Sequence, residues 1–365
     1  MAKFKNVFIS SIHQNAGKTT IALGLYKIFR EKKLKPAFIK PVGQQTVAIK
    51  DMDIDKDSYL IAEVYKLRNI FQHMSPVTIG HGFTERYITK PEKQPLREKI
   101  ESAFKHLTKG KGSIIVEGTG HAGVGSVIDL SNADVASMLG SKVVIVSEGG
   151  IGRCIDEIIL NKALFDLKKV EVLGVIVNKV LPEKYDKIKK VLSKGLASKG
   201  LRLLGVIPVD PLLSAPTVGQ VMNVLKLEAL CGQSSLNRRV KNTIVAAMEP
   251  YNMVGYLKDG TLVVTSGDRV DNIMVAVTSQ LVAQGKSSKI AGIILTGGLT
   301  PNTKIVDLLR KSRIPVLLSE DDTYSVAGRI ESLICKIQKT DKDKIDEARQ
   351  LVKEYVDVET LINNL

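Results

Sequence analysis

The residues of this 365-residue sequence best suited to chemistry lie in one short run, Asn15-Ala16-Gly17-Lys18-Thr19-Thr20. A β-branched apolar stretch precedes it and an amphipathic one follows, so a strand feeds a turn that opens a helix. Such a turn aims backbone N–H groups and the positive end of a helix at phosphate oxygens. Lys18 then reaches the outer phosphates, and the Thr19 hydroxyl joins the shell of a Mg²⁺ ion. The pattern is incomplete, because Ile12 stands where the first glycine of such loops usually falls. Taken alone, Gly17-Lys18-Thr19 also fits an ordinary helix start with a solvated lysine.

A second segment strengthens the phosphate reading. Ser113-Ile114-Ile115-Val116-Glu117-Gly118 reads as a buried strand ending in a carboxylate. In an open α/β sheet a metal-binding acid must sit at that edge, beside the phosphate loop. Gly118, Gly120, Gly123 and Gly125 follow and leave a ligand room to approach. Alone, Glu117 would pass for a helix-capping or salt-bridged acid; with Lys18 and Thr19 the metal reading is favoured. The ligand expected is a nucleoside triphosphate with Mg²⁺, ATP foremost.

Positioning these groups requires a sheet. Val7–Ser10, Ala37–Ile39, Ile114–Val116, Val143–Val146 and Val172–Val177 are near-continuous β-branched runs. Such runs fit strands buried on both faces of a parallel sheet. Ile21, Leu25, Ile28 and Phe29 form one helical stripe. The expected fold class is α/β, a doubly wound and mostly parallel sheet over residues 1–212, followed by a second, smaller α/β domain over 213–335. The strands of the second domain read as Ile244–Ala247, Leu262–Thr265, Gly292–Leu295 and Val316–Leu318, and Ala215–Cys231 reads as its lead-in. Residues 336–365 read as a charged helical tail with Ile345, Ala348, Leu351, Val352 and Tyr355 as its apolar stripe, packed on a domain or on a partner subunit.

Composition narrows the function classes. Lys and Arg number 53 against 38 Asp and Glu, a formal charge of +15, which raises the question of nucleic acid. The lysines after Pro182, however, occupy the solvated face of an amphipathic helix, and no interleaved aromatic–basic pattern of single-strand binders occurs. Nucleic-acid binding is therefore a minority reading. Cys154, Cys231 and Cys335 are far apart and odd in number, which fits a reducing compartment. No apolar run reaches the ~18 residues of a spanning helix, and the start of the chain leads into a strand rather than a signal peptide. The expected location is cytoplasmic, without membrane contact.

Five ordered motifs resemble dethiobiotin synthetase over residues 1 to about 212: Gly17-Lys18-Thr19, Lys40-Pro41-Val42-Gly43, Val116-Glu117-Gly118-Thr119-Gly120, Gly174-Val175-Ile176-Val177-Asn178-Lys179 and Gly205-Val206-Ile207-Pro208. The resemblance implies phosphate contacts from Asn15, Ala16, Gly17, Lys18, Thr19 and Thr20, and Mg²⁺ held by Thr19, Glu117 and Asp57, with Asp55 a close rival of Asp57. It further implies catalytic roles for Lys18 and Lys40, the latter on the acceptor side, and nucleotide contacts from Asn178 and Pro208. A turn-forming, capping Asn178 is the alternative. It also implies a dimer with sites near the subunit boundary. Two departures stand out: Gly43-Gln44 replaces the small residue and Ser that hold the synthetase's diamine, and His13 replaces an Asp in the loop.

The remainder resembles the DRTGG domain through Gly267-Asp268-Arg269 and Thr296-Gly297-Gly298. The two-domain order resembles the N-terminal region of long phosphate acetyltransferases, whose catalytic domain is expected to be absent from residues 1–365. In a parallel sheet both motifs, with Ser319-Glu320-Asp321-Asp322, would lie on the carboxyl edge. Asp268, Arg269, Thr296, Gly297 and Gly298 are thus candidates for a regulatory metabolite; an internal Asp268–Arg269 pair is the competing reading. Two functions compete. One is a regulatory or metabolite-sensing ATP-binding protein with slow hydrolysis, whose second domain senses a metabolite or contacts a partner enzyme. The other is an ATP-dependent ligase activating a small carboxylate or carbamate.

Overall fold

The computed structural model describes residues 4–49, 52–91, 93–282 and 290–365, and every statement below concerns these residues. The start of the chain, at Met1–Lys3, lies outside them. The chain divides into two compact units: residues up to Asp210 together with Ile337–Leu365, and Pro211–Lys336.

The first unit is built on β1 (Lys5–Ser11), β2 (Pro36–Ile39), the short strands β3 (Val42–Gly43), β4 (Thr46–Ile49), β5 (Met52–Asp55) and β6 (Val77–Thr78), then β7 (Ser113–Glu117), β8 (Lys142–Glu148), β9 (Val172–Val180) and β10 (Leu203–Pro208). Six of these form one sheet in the order β10-β9-β8-β1-β7-β2, and every pairing in it is parallel. The apolar runs explain this: Val7, Phe8, Ile9, Ile114, Ile115, Val116 and Val143–Val146 are fully buried, which requires cover on both faces. Helix α1 (Lys18–Glu31) supplies part of that cover through Ile21, Leu25, Ile28 and Phe29. Register sets Ile9 beside Glu117 and Glu148 beside Asn178. The ends of β1, β7, β8 and β9 therefore meet on one edge. Strands β4 and β5 form an antiparallel hairpin whose last residue, Asp55, caps α2 (Lys56–Tyr65) by accepting from the Asp57 N–H at 2.9 Å.

The helix Lys342–Tyr355 belongs to this unit and lies against α1. Its stripe Ile345, Ala348, Leu351 and Val352 is buried. The approach is close because α1 carries Gly24: a Cβ added there would lie 2.4 Å from Val352 Cβ. The chain then bridges Val356 to Gly205 in antiparallel fashion, and the Asp357 N–H donates to the Leu204 carbonyl at 2.8 Å.

The second unit has β11 (Glu228–Cys231), β12 (Asn242–Val245), β13 (Thr261–Ser266), β14 (Gly292–Thr296) and β15 (Val316–Leu318), in the order β11-β15-β14-β13-β12. The last four are mutually parallel, whereas β11 runs antiparallel along one edge. One face packs Val263, Ile293 and Leu295 against Met253, Ile273 and Leu309. The other packs Leu262, Val264 and Ile294 against Val218, Val221 and Val326. Both units are thus α/β with covered sheets, and the lead-in Ala215–Cys231 resolves into the capped helix Val218–Leu225 and the edge strand β11.

Candidate functional site

The carboxyl edge of the first sheet gathers the chemistry. Between β1 and α1 the loop turns through left-handed backbone at Asn15 (φ 65°) and Gly17 (φ 104°). Gly17 is required twice over, since a Cβ there would sit 2.1 Å from Asn178 Nδ2. Gly17 is also the N-cap of α1 and offers no side chain to the first-turn N–H groups, which leaves a helix terminus suited to an anion. Lys18 is buried and its Nζ donates to Ser11 Oγ at 2.8 Å. Thr19 Oγ1 donates to Glu117 Oε1 at 2.8 Å. Thr20 follows in the same turn of α1.

Lys40, just beyond β2, sits in a nest of acids. Its ammonium pairs with Asp57, lies 3.2 Å from Asp55 Oδ1 and 3.9 Å from Glu117 Oε1. Lys40, Asp55, Asp57 and Glu117 are only 5%, 1%, 6% and 1% exposed, so water screens none of these charges. Burial disfavours the Lys40 cation, but Asp57, Glu117 and Asp55 outweigh it and hold the ammonium well above the usual lysine range. Burial, aided by the neighbouring Asp57 charge, pushes Glu117 up to about 7 against the pull of Lys40 and Lys18. Burial likewise raises Asp55. Glu117 Oε2 and Asp55 Oδ2 are buried without a hydrogen-bond partner.

A Mg²⁺ ion implied by such a site can be tested against this donor set. Three carboxylates and a hydroxyl are hard oxygen donors of the kind Mg²⁺ selects, and two carboxylate oxygens lack partners. Among the described residues no three acidic, His or Cys side chains are set to cage a metal unaided. Mg²⁺ is ordinarily held by one or two carboxylates plus substrate phosphates, so the donors fit that mode.

Around this centre further contacts hold the loops in place. Asn178 Nδ2 donates to the Ala16 carbonyl at 2.9 Å, and Lys179 Nζ to the Asn15 carbonyl at 2.7 Å. The end of β9 therefore clamps the phosphate loop from below. Glu148 accepts from Lys179 at 2.6 Å and lies 3.3 Å from His13 Nε2. Asn132 donates to the Thr119 and His121 carbonyls and accepts from the Thr119 N–H, which fixes the glycine-rich loop after Glu117. Ser11 and Asn132 stand in no motif, and Lys179 stands in one without an assigned role; the roles of all three depend on contacts across 7 to more than 100 residues of chain. Gly43 is pressed by Asp55, whose Cβ would be 2.6 Å from an added Cβ, and Gln44 bonds Gln14 at 3.3 Å. Pro208 ends the outer strand β10, beside Val180.

In the second unit the two motifs do share the carboxyl edge of parallel strands, and they are engaged with each other. The N–H groups of Gly297 and Gly298, both in left-handed backbone, donate to the Asp321 and Ser319 carbonyls at 2.8 and 2.9 Å. Thr296 Oγ1 lies 2.6 Å from Thr323 Oγ1. Arg269 pairs with Asp271 at 2.8 Å and donates to the Met248 carbonyl; its ion-pair partner is thus Asp271 rather than Asp268, which is exposed.

Comparison with known proteins agrees with this layout. Residues 5–217 match the model of the AAA domain family AAA_26, and residues 220–333 match the DRTGG domain. A phosphate acetyltransferase of Nitratidesulfovibrio vulgaris is 27% identical over 99% of this chain and 51% of its own. One from Pseudomonas putida is 28% identical over 96% of this chain and 50% of its own. The chain spans about half the length of the curated relatives it matches. A solved structure of the CBS and DRTGG domains of Clostridium perfringens pyrophosphatase aligns over 48% of this chain and 85% of its own, at 16% identity and a TM-score of 0.26, too low to support any inference. No described helix is long and apolar enough to cross a membrane. With a phosphate-loop sheet followed by a second α/β unit in this order, the chain belongs to the AAA domain family AAA_26 and carries a DRTGG domain, an arrangement consistent with the N-terminal region of long phosphate-acetyltransferase-like proteins.

Proposed function

We propose that the first unit binds ATP with Mg²⁺ and acts as a regulatory, cytoplasmic nucleotide sensor with slow hydrolysis. The observation that carries this reading is the meeting of Thr19 Oγ1 with Glu117 Oε1 at 2.8 Å beside buried Lys18. It pairs a hydroxyl and a carboxylate at a helix N-terminus, where a phosphate-bound Mg²⁺ needs them. Thr19, Glu117 and Asp57 would hold the ion, which supplies charge neutralisation to the phosphates. Asn15, Ala16, Gly17 and Thr20 would present backbone to the phosphate oxygens, while Asn178 keeps that loop in shape.

Sensing is favoured over ligation by the acceptor side. Lys40 is enclosed by carboxylates, and Asp55 fills the space over Gly43 where a small acceptor would need room. The ligase reading stands second, because Lys18 and Lys40 both act on the same Glu117 carboxylate, as a phosphoryl-transfer centre requires. In the second unit, Arg269 and the Gly297 and Gly298 amides are already occupied by Asp271 and by carbonyls of neighbouring loops, which supports a contact surface for a partner enzyme over an anion pocket.

Phosphate release from ATP, measured with and without a panel of small carboxylates, amines and bicarbonate, separates the readings. A slow rate, unchanged across the panel and lost in Lys18→Ala, is expected of the sensor. Strong stimulation by one acceptor would establish the ligase instead.

A further inference from the structure

The nest around Lys40 raises a question the nucleotide site does not answer. Three buried carboxylates cannot share one pocket without a counter-charge, since each ion costs several kcal/mol to desolvate. The structure supplies that charge from within: the Lys40 ammonium pairs with Asp57, lies 3.2 Å from Asp55 and 3.9 Å from the Glu117 oxygen that also takes the Thr19 hydroxyl. One ammonium nevertheless leaves the cluster under-coordinated. Glu117 Oε2 and Asp55 Oδ2, on residues 1% exposed, have no hydrogen-bond donor. An ammonium has three protons to give, whereas a divalent ion satisfies six oxygens.

We infer that Lys40 is the built-in counter-ion of a divalent-cation site, held among Asp55, Asp57 and Glu117 until a cation arriving with nucleotide phosphates displaces it. The inference rests on the nucleotide reading for the identity of the phosphate carrier. Its physical logic is competition. Lys40 and Mg²⁺ cannot both occupy the space between Asp57 and Glu117, so the metal-free nest excludes stray cations. Phosphate oxygens tip the exchange by completing the metal shell and giving the released ammonium a new anionic partner. Lys40 thereby makes cation binding conditional on nucleotide.

The test uses Mn²⁺ alone as probe, followed by electron paramagnetic resonance on the full chain. Without nucleotide, wild type is expected to bind Mn²⁺ weakly, and Lys40→Met at least tenfold more tightly. Lys40→Met should also melt at a lower temperature than wild type and recover on adding Mn²⁺, a recovery that Glu117→Gln in the same background removes. Equal Mn²⁺ affinity of wild type and Lys40→Met would overturn the inference. If Lys40→Met does not fold, ¹⁵Nζ-lysine spectra of wild type decide: the protected Lys40 ammonium signal should be lost with Mg²⁺ and ATP together and kept with either alone, and its persistence with both would overturn the exchange. Wild type that binds Mg²⁺–ATP while Lys40→Met gains no Mn²⁺ affinity defeats this inference alone. Wild type that binds no nucleotide while Lys40→Met binds Mn²⁺ defeats the nucleotide reading and leaves the cation site standing.

Discussion

Thr19 and Glu117 lie 98 residues apart in sequence and 2.8 Å apart in space, Oγ1 donating to Oε1. The contact exists because β7 and β1 are parallel neighbours with Glu117 in register with Ile9, two residues before the end of β1, and α1 starts from the loop that β1 feeds. Substituting Glu117→Gln keeps the shape and removes the charge. ATP affinity in the presence of Mg²⁺ is expected to fall about tenfold or more, the worth of a hydrogen bond to a charged partner, ~1.5–3 kcal/mol. Affinity in excess chelator should change little. Titration calorimetry under both conditions checks the difference.

Gly17→Ala tests the loop. The residue combines φ 104° with a would-be Cβ 2.1 Å from Asn178 Nδ2. The expected result is a folded protein whose ATP-induced thermal stabilisation is gone. Asn178→Ala in the same chain relieves the clash but not the left-handed strain, so the double variant should stay defective. Restored stabilisation in the double variant would show that the contact with Asn178, and not the backbone conformation, is what matters.

Glu117 also dictates a pH dependence. Its folded value of about 7 lies above the ordinary 4.5, so the folded state keeps a proton that the unfolded state has lost. The contribution to stability is full below pH 4.5 and disappears as pH rises to about 7, at most roughly 3 kcal/mol. Burial raises Asp55 as well, which adds in the same direction, while Lys40 is held up and stays charged throughout the window. Urea unfolding between pH 4.5 and 8 should show this decline in wild type and a shallower one in Glu117→Gln. Mg²⁺-dependent ATP affinity should rise through the same interval, because proton and metal compete for one carboxylate.

The seam between α1 and the helix Lys342–Tyr355 gives a packing prediction. Gly24→Ala puts a Cβ 2.4 Å from Val352 Cβ, and overpacking of this kind costs ~1–3 kcal/mol. Val352→Ala opens the space and should partly rescue Gly24→Ala, with a coupling of ~0.5–3 kcal/mol in a double-mutant cycle. Additive effects would mean that the two helices do not meet at this point.

The sheets were legible because both faces of each strand are buried, which writes Val7-Phe8-Ile9 or Ile114-Ile115-Val116 as unbroken apolar runs. The edge of the site was legible in outline for the same reason: Lys18, Thr19 and Glu117 mark where runs end. What stayed hidden depends on contacts across long stretches of chain. Periodicity revealed the stripe Ile345, Ala348, Leu351, Val352, but a stripe does not name its cover, and here the cover is α1. Asp55 and Asp57 could not be ranked from sequence, because the β4–β5 hairpin brings both to Lys40, one as helix cap and one as ion partner. Asn178 read as base contact or turn former; in the fold its amide holds the phosphate loop, a role without local signature.

Calorimetry of ATP with Mg²⁺ on the full chain, paired with thermal unfolding and repeated on Lys18→Ala, tests the central claim most directly. Wild type should give a saturable heat and, at a hundredfold excess over Kd, about 2.7 kcal/mol of added stability, both absent in Lys18→Ala. No heat and no stabilisation in wild type, or equal binding by Lys18→Ala, would contradict a nucleotide site at this loop.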